Sequence, residues 1–412
     1  MGNLCSAGIP ECNFRAKYDL AYCFVNAKSG GGVGKKLLNL GLRRVEWSER
    51  YGAVRIVDLL SKEDRETSLK ELSELERKKE KVCAVCAGGD GTVKWVLQMF
   101  ASAKIRNVPL GIIPFGTGND LSRSLGWGGS APWGLVNTGL TRFRDICDEF
   151  RRSMPVKADM WRVLVKLRQG GTVTTVGSDC STRVDKEKTD SRIIDENMIN
   201  YFSIGIDAKI AYDFARNRKS TQMLNQMEYG IQGAKKTFFP TPRLGVTCNA
   251  KVNADGKIIK NLDPNAVAYI FHNIRSYGAG MDIWKDAYNR RHFPRQFGPQ
   301  RMGDGLLELL TVQTAPQIPL GHMSKEAQAK SYELDLSKAE AVYMQFDGEP
   351  FYVEKPESVR VERASTVKLL RRRKKGRSEK EDDDDDDGND ENIVEKGNVK
   401  IDVEEEKKDD GD

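Results

Sequence analysis

Histidine is scarce in this chain of 412 residues, which has only His272, His292 and His322, and its eight cysteines (Cys5, Cys12, Cys23, Cys83, Cys86, Cys147, Cys180, Cys248) include no second pair beyond Cys83-x-x-Cys86. A zinc module needs four such ligands at fixed spacing and is therefore excluded. The same scatter excludes a disulfide framework and suits a reducing compartment. Long apolar runs are missing too: nothing approaches the roughly 18–20 apolar residues of a membrane span. The N-terminus has neither the basic start nor the apolar run of a secretory signal, so a cytosolic protein is expected. Cys83 and Cys86 match a redox spacing but sit inside an apolar, strand-like run, where buried strand cysteines are the expectation.

Charge is present but unevenly placed. Glu379 to Asp412 hold 18 acidic and 5 basic residues, net −13, which leaves residues 1–378 with 61 basic against 42 acidic, net +19. A basic body favours an anionic partner, a nucleotide or an acidic membrane surface, and the chain has no stretch of the kind that reads bases in nucleic acid. Arg371-Arg372-Arg373-Lys374-Lys375-Gly376-Arg377 followed by Glu381 to Asp387 reads by default as a solvated tail. The basic run adds to any lipid anchor by about 1 kcal/mol per residue near an anionic surface. Met1-Gly2-Asn3-Leu4-Cys5-Ser6 fits the N-myristoylation pattern at Gly2, with Cys5 placed for a second acyl chain. One acyl chain holds a membrane only marginally, so a second chain or a basic patch is needed for stable anchoring.

Between these ends the first third alternates apolar runs with helical stretches. Ala21–Val25 leads into Asn26-Ala27-Lys28-Ser29-Gly30-Gly31; Val54–Leu59 precedes a helix over Lys62–Lys78 with Leu69, Leu72 and Leu75 inward. Val82–Ala87 leads into Gly88-Gly89-Asp90-Gly91-Thr92, and Val108–Phe115 into Gly116-Thr117-Gly118-Asn119-Asp120. Strands alternating with helices predict a parallel α/β sheet, and three glycine-rich turns that each follow a strand fall on its carboxyl edge, where such sheets bind ligands. Glycines let the backbone approach an anion, and a following helix turns its first N–H groups towards it. Asn26, Lys28, Ser29, Gly30, Gly31, Gly88, Gly89, Gly91, Thr92, Thr117 and Asn119 are thus candidate phosphate-binding residues. The first turn is not a Walker loop, because the Gly-Lys-Ser/Thr order is absent. Asp90 and Asp120 would be repelled by phosphate unless they hold a metal or handle a proton.

These turns resemble the catalytic-domain signatures of the diacylglycerol kinases: Gly88-Gly89-Asp90-Gly91-Thr92-Val93-x-Trp95-Val96 and Pro109-Leu110-Gly111-x-x-Pro114-x-Gly116-Thr117-Gly118-Asn119-Asp120-Leu121, with Asn26–Gly31 similar to that family's first glycine loop except for Ala27 in place of proline. Past Trp161, short runs separated by turns (Trp161–Leu167, Asn200–Ile206, Arg243–Val252, Ala266–Phe271, Leu306–Val312, Ala341–Phe346, Val359–Glu362) read as a mostly antiparallel, β-sandwich-like domain. Here Asn200–Ala208, Ser276–Trp284, Asp304-Gly305-Leu306-Leu307-Glu308 and Phe346-Asp347-Gly348-Glu349-Pro350 resemble the family's accessory domain, with Arg275 where proline is frequent. The expected organisation is an N-terminal segment 1–18, a catalytic α/β domain 19–155, an accessory β domain 156–365 with a flexible insertion at 169–196, and a disordered tail 366–412.

The resemblance implies ATP and Mg²⁺ as cofactors and the free hydroxyl of diacylglycerol as acceptor, giving phosphatidic acid at the cytosolic face of a membrane that contains anionic lipid. It implies Glu349 as general base, with Asp90 acting on metal and hydroxyl; the residues alone leave Asp90 as a rival for the proton. Asp90 and Asp120 are candidate metal ligands, and Asp304 resembles a position near a second, structural metal in bacterial relatives. Other readings are a kinase of another lipid alcohol, such as a sphingoid base or ceramide, and a catalytically dead membrane scaffold. The scaffold reading expects losses at Gly89, Asp90 or Glu349, and all three are present.

Overall fold

An apolar run buried on both faces of a sheet needs a covering helix before the chain returns beside it, and the first third of the chain is built on that requirement. A computed structural model describes residues 17–48, 52–136, 140–177, 179–217, 243–248, 251–260, 262–286, 288–289, 297–318 and 321–373. It begins β1 (Leu20–Val25), α1 (Val33–Leu38), β2 (Arg44–Ser48), β3 (Gly52–Asp58), α2 (Lys62–Arg77), β4 (Val82–Gly88), α3 (Asp90–Ser102), β5 (Leu110–Pro114), α4 (Asp120–Ser124) and α5 (Thr141–Arg152). Strands β3, β1, β4 and β5 lie side by side and parallel, with β2 antiparallel at the outer edge. Every residue of β4 and β5 is buried, which accounts for their unbroken apolar sequences. In register Val25 faces Ala87 and Gly88 faces Pro114, so the carboxyl ends of three adjacent strands are level. Cys83 and Cys86 are free and buried in β4, and burial pushes the Cys83 thiol up to about 12, which makes it inert as a redox centre.

The second half runs β6 (Met154–Leu167), β7 (Val173–Val176), β8 (Thr182–Val184), α6 (Lys186–Ser191), β9 (Ile193–Met198), β10 (Tyr201–Gly205), α7 (Ile206–Arg216), β11 (Lys251–Ala254), β12 (Lys257–Ile258), β13 (Ala268–His272), β14 (Tyr288–Asn289), β15 (Leu307–Val312), β16 (Ser324–Ala329), β17 (Ser331–Asp335), β18 (Ala341–Phe346), β19 (Glu349–Glu354) and β20 (Pro356–Arg371). One sheet has the order β14-β16-β15-β13-β10-β18-β19-β7-β8, antiparallel except for the short β14–β16 pair. Facing it, β6, β9, β11, β17 and β20 belong to the same hydrogen-bonded sheet as β1–β5. Trp161, Val163 and Val165 of β6 and Val359 and Val361 of β20 pack against Phe202, Phe271, Leu309 and Met344 of the opposite sheet, the inward alternation of a sandwich.

Strand β20 is the seam. It pairs with β6 along its whole length, and its end runs parallel to β5 with Leu369 opposite Leu110. Leu369 and Leu370 are buried in the core of the first half, so residues 366–371 are a strand and not the start of a tail, a correction to the boundary expected at 365. The segment 169–196, expected as a flexible insertion, instead carries β7, β8, α6 and the start of β9, with β9 hydrogen-bonded to β6. Arg243–Val252, expected as one strand, is a four-residue helix, Leu244–Thr247, before β11. No described helix is long and apolar enough to cross a membrane. Gly2, Cys5 and residues 374–412 lie outside the described residues.

Candidate active site

The three glycine-rich loops leave β1, β4 and β5 in a row and are tied to one another. The Asn26 side-chain amide donates to Thr92 Oγ1 at 3.0 Å, and its carbonyl accepts the Lys28 N–H at 2.9 Å. Phe115 donates its backbone N–H to Gly88 O at 2.9 Å, and a Cβ on Gly30 would stand 3.0 Å from the Phe115 side chain. Gly89 and Gly116 pass so closely that a Cβ on Gly89 would stand 2.9 Å from Gly116 Cα. Around Gly31 and Gly32 there is open space. Helix α3 begins at Asp90, where Gly89 O accepts the N–H groups of Thr92 at 2.9 Å and Val93 at 3.0 Å, and the positive end of its dipole lies among these loops.

Asp90 joins two of these loops. Its carboxylate accepts the backbone N–H of Asp120 at 3.1 Å and of Leu121 at 3.2 Å, so it caps the start of α4 from outside. Asp120 points to the same place: a Cβ on Gly118 would stand 3.3 Å from Asp120 Oδ2 and 3.6 Å from Asp90 Oδ2. The other oxygen of Asp120 accepts Ser276 Oγ at 2.6 Å and the Ala279 N–H at 3.0 Å. Burial, reinforced by Asp90, pushes the Asp120 carboxyl up to about 6. Burial also raises Asp90, against the N–H groups and the Asn200 side chain that favour its anion. Two carboxyls that resist ionisation side by side form a place where a cation is favoured.

From the second half, the turn between β18 and β19 reaches these residues. Asp347 and Gly348 both take left-handed φ, 52° and 80°, the requirement of a two-residue hairpin that Asp-Gly meets. Asp347 is buried and accepts the N–H groups of Ile199, Asn200 and Tyr201 at 2.8–3.3 Å. Burial pushes its carboxyl up to about 6, with Lys94 opposing and Asp90 reinforcing the shift. Lys94, buried on α3, lies 3.6 Å from Glu196 and over the Phe346 ring at 5.0 Å. So anchored, the turn presents Glu349, which is exposed and whose Oε1 lies 3.3 Å from where a Gly91 Cβ would stand. Glu349 and Asp90 therefore flank the same helix N-terminus.

Most residues expected in the site are brought together: Asn26, Gly30, Gly88, Gly89, Asp90, Gly91, Thr92, Asp120 and Glu349 form one connected set through the contacts above, with Lys28, Ser29, Gly31 and Thr117 on the same loops. Asn119 is buried and faces inward, bonding Gly116 N, Gly116 O and Gly129 O at 2.7–2.9 Å; it builds its loop and leaves no amide group turned outward for phosphate. Asp304 has Asp159 and Arg301 as electrostatic neighbours, and among the described residues no three His, Cys, Asp or Glu side chains converge as a metal-ligand set. A magnesium ion here would thus rely on Asp90 and Asp120 with phosphate oxygens, its usual arrangement beside nucleotides. The sequence reading missed Lys94, Asn200, Ser276 and Asp347. Asn200, Ser276 and Asp347 do stand in the stretches that resemble the accessory domain, and Asp347 also in the Asp-Gly hairpin pair, but neither signal says that these side chains turn inward to the site. A groove of about 910 Å³ between α2 and the outer side of α3, lined by Arg65, Leu69, Trp95 and Met99, includes none of these site residues.

Residues 21–154 match the family model described as diacylglycerol kinase catalytic domain, and residues 197–350 the one described as diacylglycerol kinase accessory domain. The chain is 31% identical over 381 residues to diacylglycerol kinase 4 of Arabidopsis thaliana, an alignment that spans 80% of this chain and 75% of that protein. Diacylglycerol kinase 2 of the same plant is 30% identical over 84% of this chain, and the eye-specific diacylglycerol kinase of Drosophila melanogaster is likewise 30% identical over 84%. The chain spans 45% and 22% of the length of these last two relatives.

Proposed function

The chain belongs to the diacylglycerol kinase family, and on that premise we propose that it transfers the γ-phosphoryl group of ATP to the free hydroxyl of 1,2-diacylglycerol at a membrane surface, giving phosphatidic acid and ADP. In this reading the loops at Asn26–Gly31, Gly88–Thr92 and Gly116–Thr117 cradle the phosphates with their backbone, and Lys28 adds a point charge. Asp90 and Asp120 are the side chains that would hold magnesium, whose contribution is to neutralise charge on the phosphate oxygens. Glu349 takes the proton of the acceptor hydroxyl as its oxygen bonds to phosphorus and the bridging oxygen of the ATP departs with ADP. Asp90 is the weaker candidate for that proton, because both of its oxygens already accept N–H groups of α4.

The observation that carries the reading is the approach of Glu349 to Gly91, which brings a carboxylate from the second half to the phosphate-facing helix N-terminus of the first. A two-tailed lipid does not readily leave its bilayer, so the protein goes to it, and acylation at Gly2 and Cys5 with the basic body supplies the means. Incubation with radiolabelled ATP and mixed micelles of diacylglycerol, ceramide or a sphingoid base tests this. The expected result is label in phosphatidic acid; preference for either other lipid, or no transfer by folded protein, overturns it.

A further inference from the structure

From Ser122 to Arg144 the sequence contains Arg123, Arg142 and Arg144 and no acidic residue, in a chain of which 31% is charged. Midway stands Trp133, 97% exposed, whereas Trp127, Trp161 and Trp284 are buried and Trp95 partly so. An indole left wholly in water forgoes the burial that drives folding, so the fold itself gains nothing from Trp133 at this position. Its presentation is nevertheless specified. Leu135 donates its N–H to Pro132 O at 3.2 Å, Gly134 takes φ +70°, and Leu135 is buried as the root of the turn while Ala131 packs on the first core. At the base, Gly128 O accepts Ser122 Oγ at 2.8 Å, Gly129 O accepts the Asn119 amide at 2.9 Å, and Trp127 Nε1 donates to Leu370 O at 2.6 Å. Asn119 and Ser122 belong to the start of α4, the helix that Asp90 caps, so the turn is built on the same element as the site.

We infer that Trp133 is a membrane-docking residue, which enters the interfacial layer of an anionic bilayer and sets the catalytic loops against the lipid. The inference rests on the reading above in one respect, that the acceptor is a bilayer lipid. An indole is suited to that layer, with an apolar body and an N–H that stays at the level of the headgroups. The stretch has no acidic residue to repel anionic headgroups, and of its arginines Arg144 is exposed while Arg123 donates to Gly118 O at 3.1 Å. A protein partner or a second copy would need a broad complementary surface, and this turn offers one large side chain among serine, alanine, proline and glycine.

The test uses the full chain carrying Gly2→Ala, so that no acyl chain masks the turn, sedimented with phosphatidylcholine vesicles containing phosphatidylserine. Trp133→Ala should lower the ratio of bound to free protein by about tenfold, while Trp133→Phe keeps most of it. Transfer to diacylglycerol in those vesicles should fall with binding, and transfer to a short-chain, water-soluble diacylglycerol should be unchanged. Undiminished vesicle binding by Trp133→Ala overturns the inference, as does an equal loss on both substrates, which would place the turn's effect in the site itself. Self-association without vesicles that disappears in Trp133→Ala would assign the turn to a second copy and likewise overturn it. If the protein phosphorylates neither substrate but binding still depends on Trp133, the docking role stands and the kinase reading falls.

Discussion

Asp90 and Asp347 are both carboxylates that gather backbone N–H groups beside the same helix N-terminus, yet they belong to halves that fix their loops in different ways. Asp90 closes the start of α4 within the first half, where the level carboxyl ends of β1, β4 and β5 already place the loops. Asp347 closes a hairpin onto Ile199, Asn200 and Tyr201, and no parallel register positions that turn. The first half thus sets its part of the site through the sheet and the second through a buried acid. A turn held by a buried, titrating carboxyl responds to pH, whereas the register of β1, β4 and β5 does not.

The largest effect that separates the two is expected at Asp90. Asp90→Ala should reduce phosphoryl transfer by about a thousandfold and cost about 1–2 kcal/mol of stability from the uncapped α4, measured by turnover and by denaturant unfolding. A variant with near-normal turnover would show that the sheet edge needs no acid there. Next comes Asp347→Asn, which weakens the N–H acceptors of the turn by about 2–3 kcal/mol. Its pH dependence is diagnostic. Because the folded carboxyl is raised from its ordinary value of 3.8 to about 6, the native state binds the extra proton between those values, and its contribution to stability is lost as pH rises through them. The stability gap between the unsubstituted protein and Asp347→Asn should therefore narrow from pH 4 to pH 6, and a parallel pair of curves would contradict the assignment. Smallest is Ser276→Ala, which removes one donor from buried Asp120 and should cost about 1–2 kcal/mol, read as a lower melting temperature with ATP affinity changed little.

How far the sequence foretold these structures follows the same division. The glycine turns of the first half were legible because each is local, a strand, a turn and a helix in consecutive residues, and Gly88–Thr92 contains Asp90 itself. The second half was legible as a run of strands but not in its pairing. β20 was read as Val359–Glu362 alone because exposed residues at Arg363–Ser365 interrupt its apolar alternation, while its partners β6 and β5 are far away in sequence. Segment 169–196 looked like an insertion because β8 is exposed throughout and α6 buries nothing, so edge position erased the pattern. Leu244–Thr247 was misread because four residues are too few for periodicity to tell helix from strand. Lys94 stayed hidden since a lysine on an amphipathic helix reads as solvent-facing, and only the packing of Phe346 and Glu196 against α3 gives it a buried place.

In the proposed reaction the two halves meet, with Glu349 brought to the loops that Asp90 organises. Glu349→Gln keeps the shape of the side chain and removes its capacity to take a proton, and its side chain is exposed, so folding should be unaffected. Single-turnover transfer from ATP to diacylglycerol in mixed micelles should fall by about 10²–10⁴-fold, with ATP affinity and melting temperature unchanged. Turnover within a few fold of the unsubstituted protein would show that Glu349 does not take the proton.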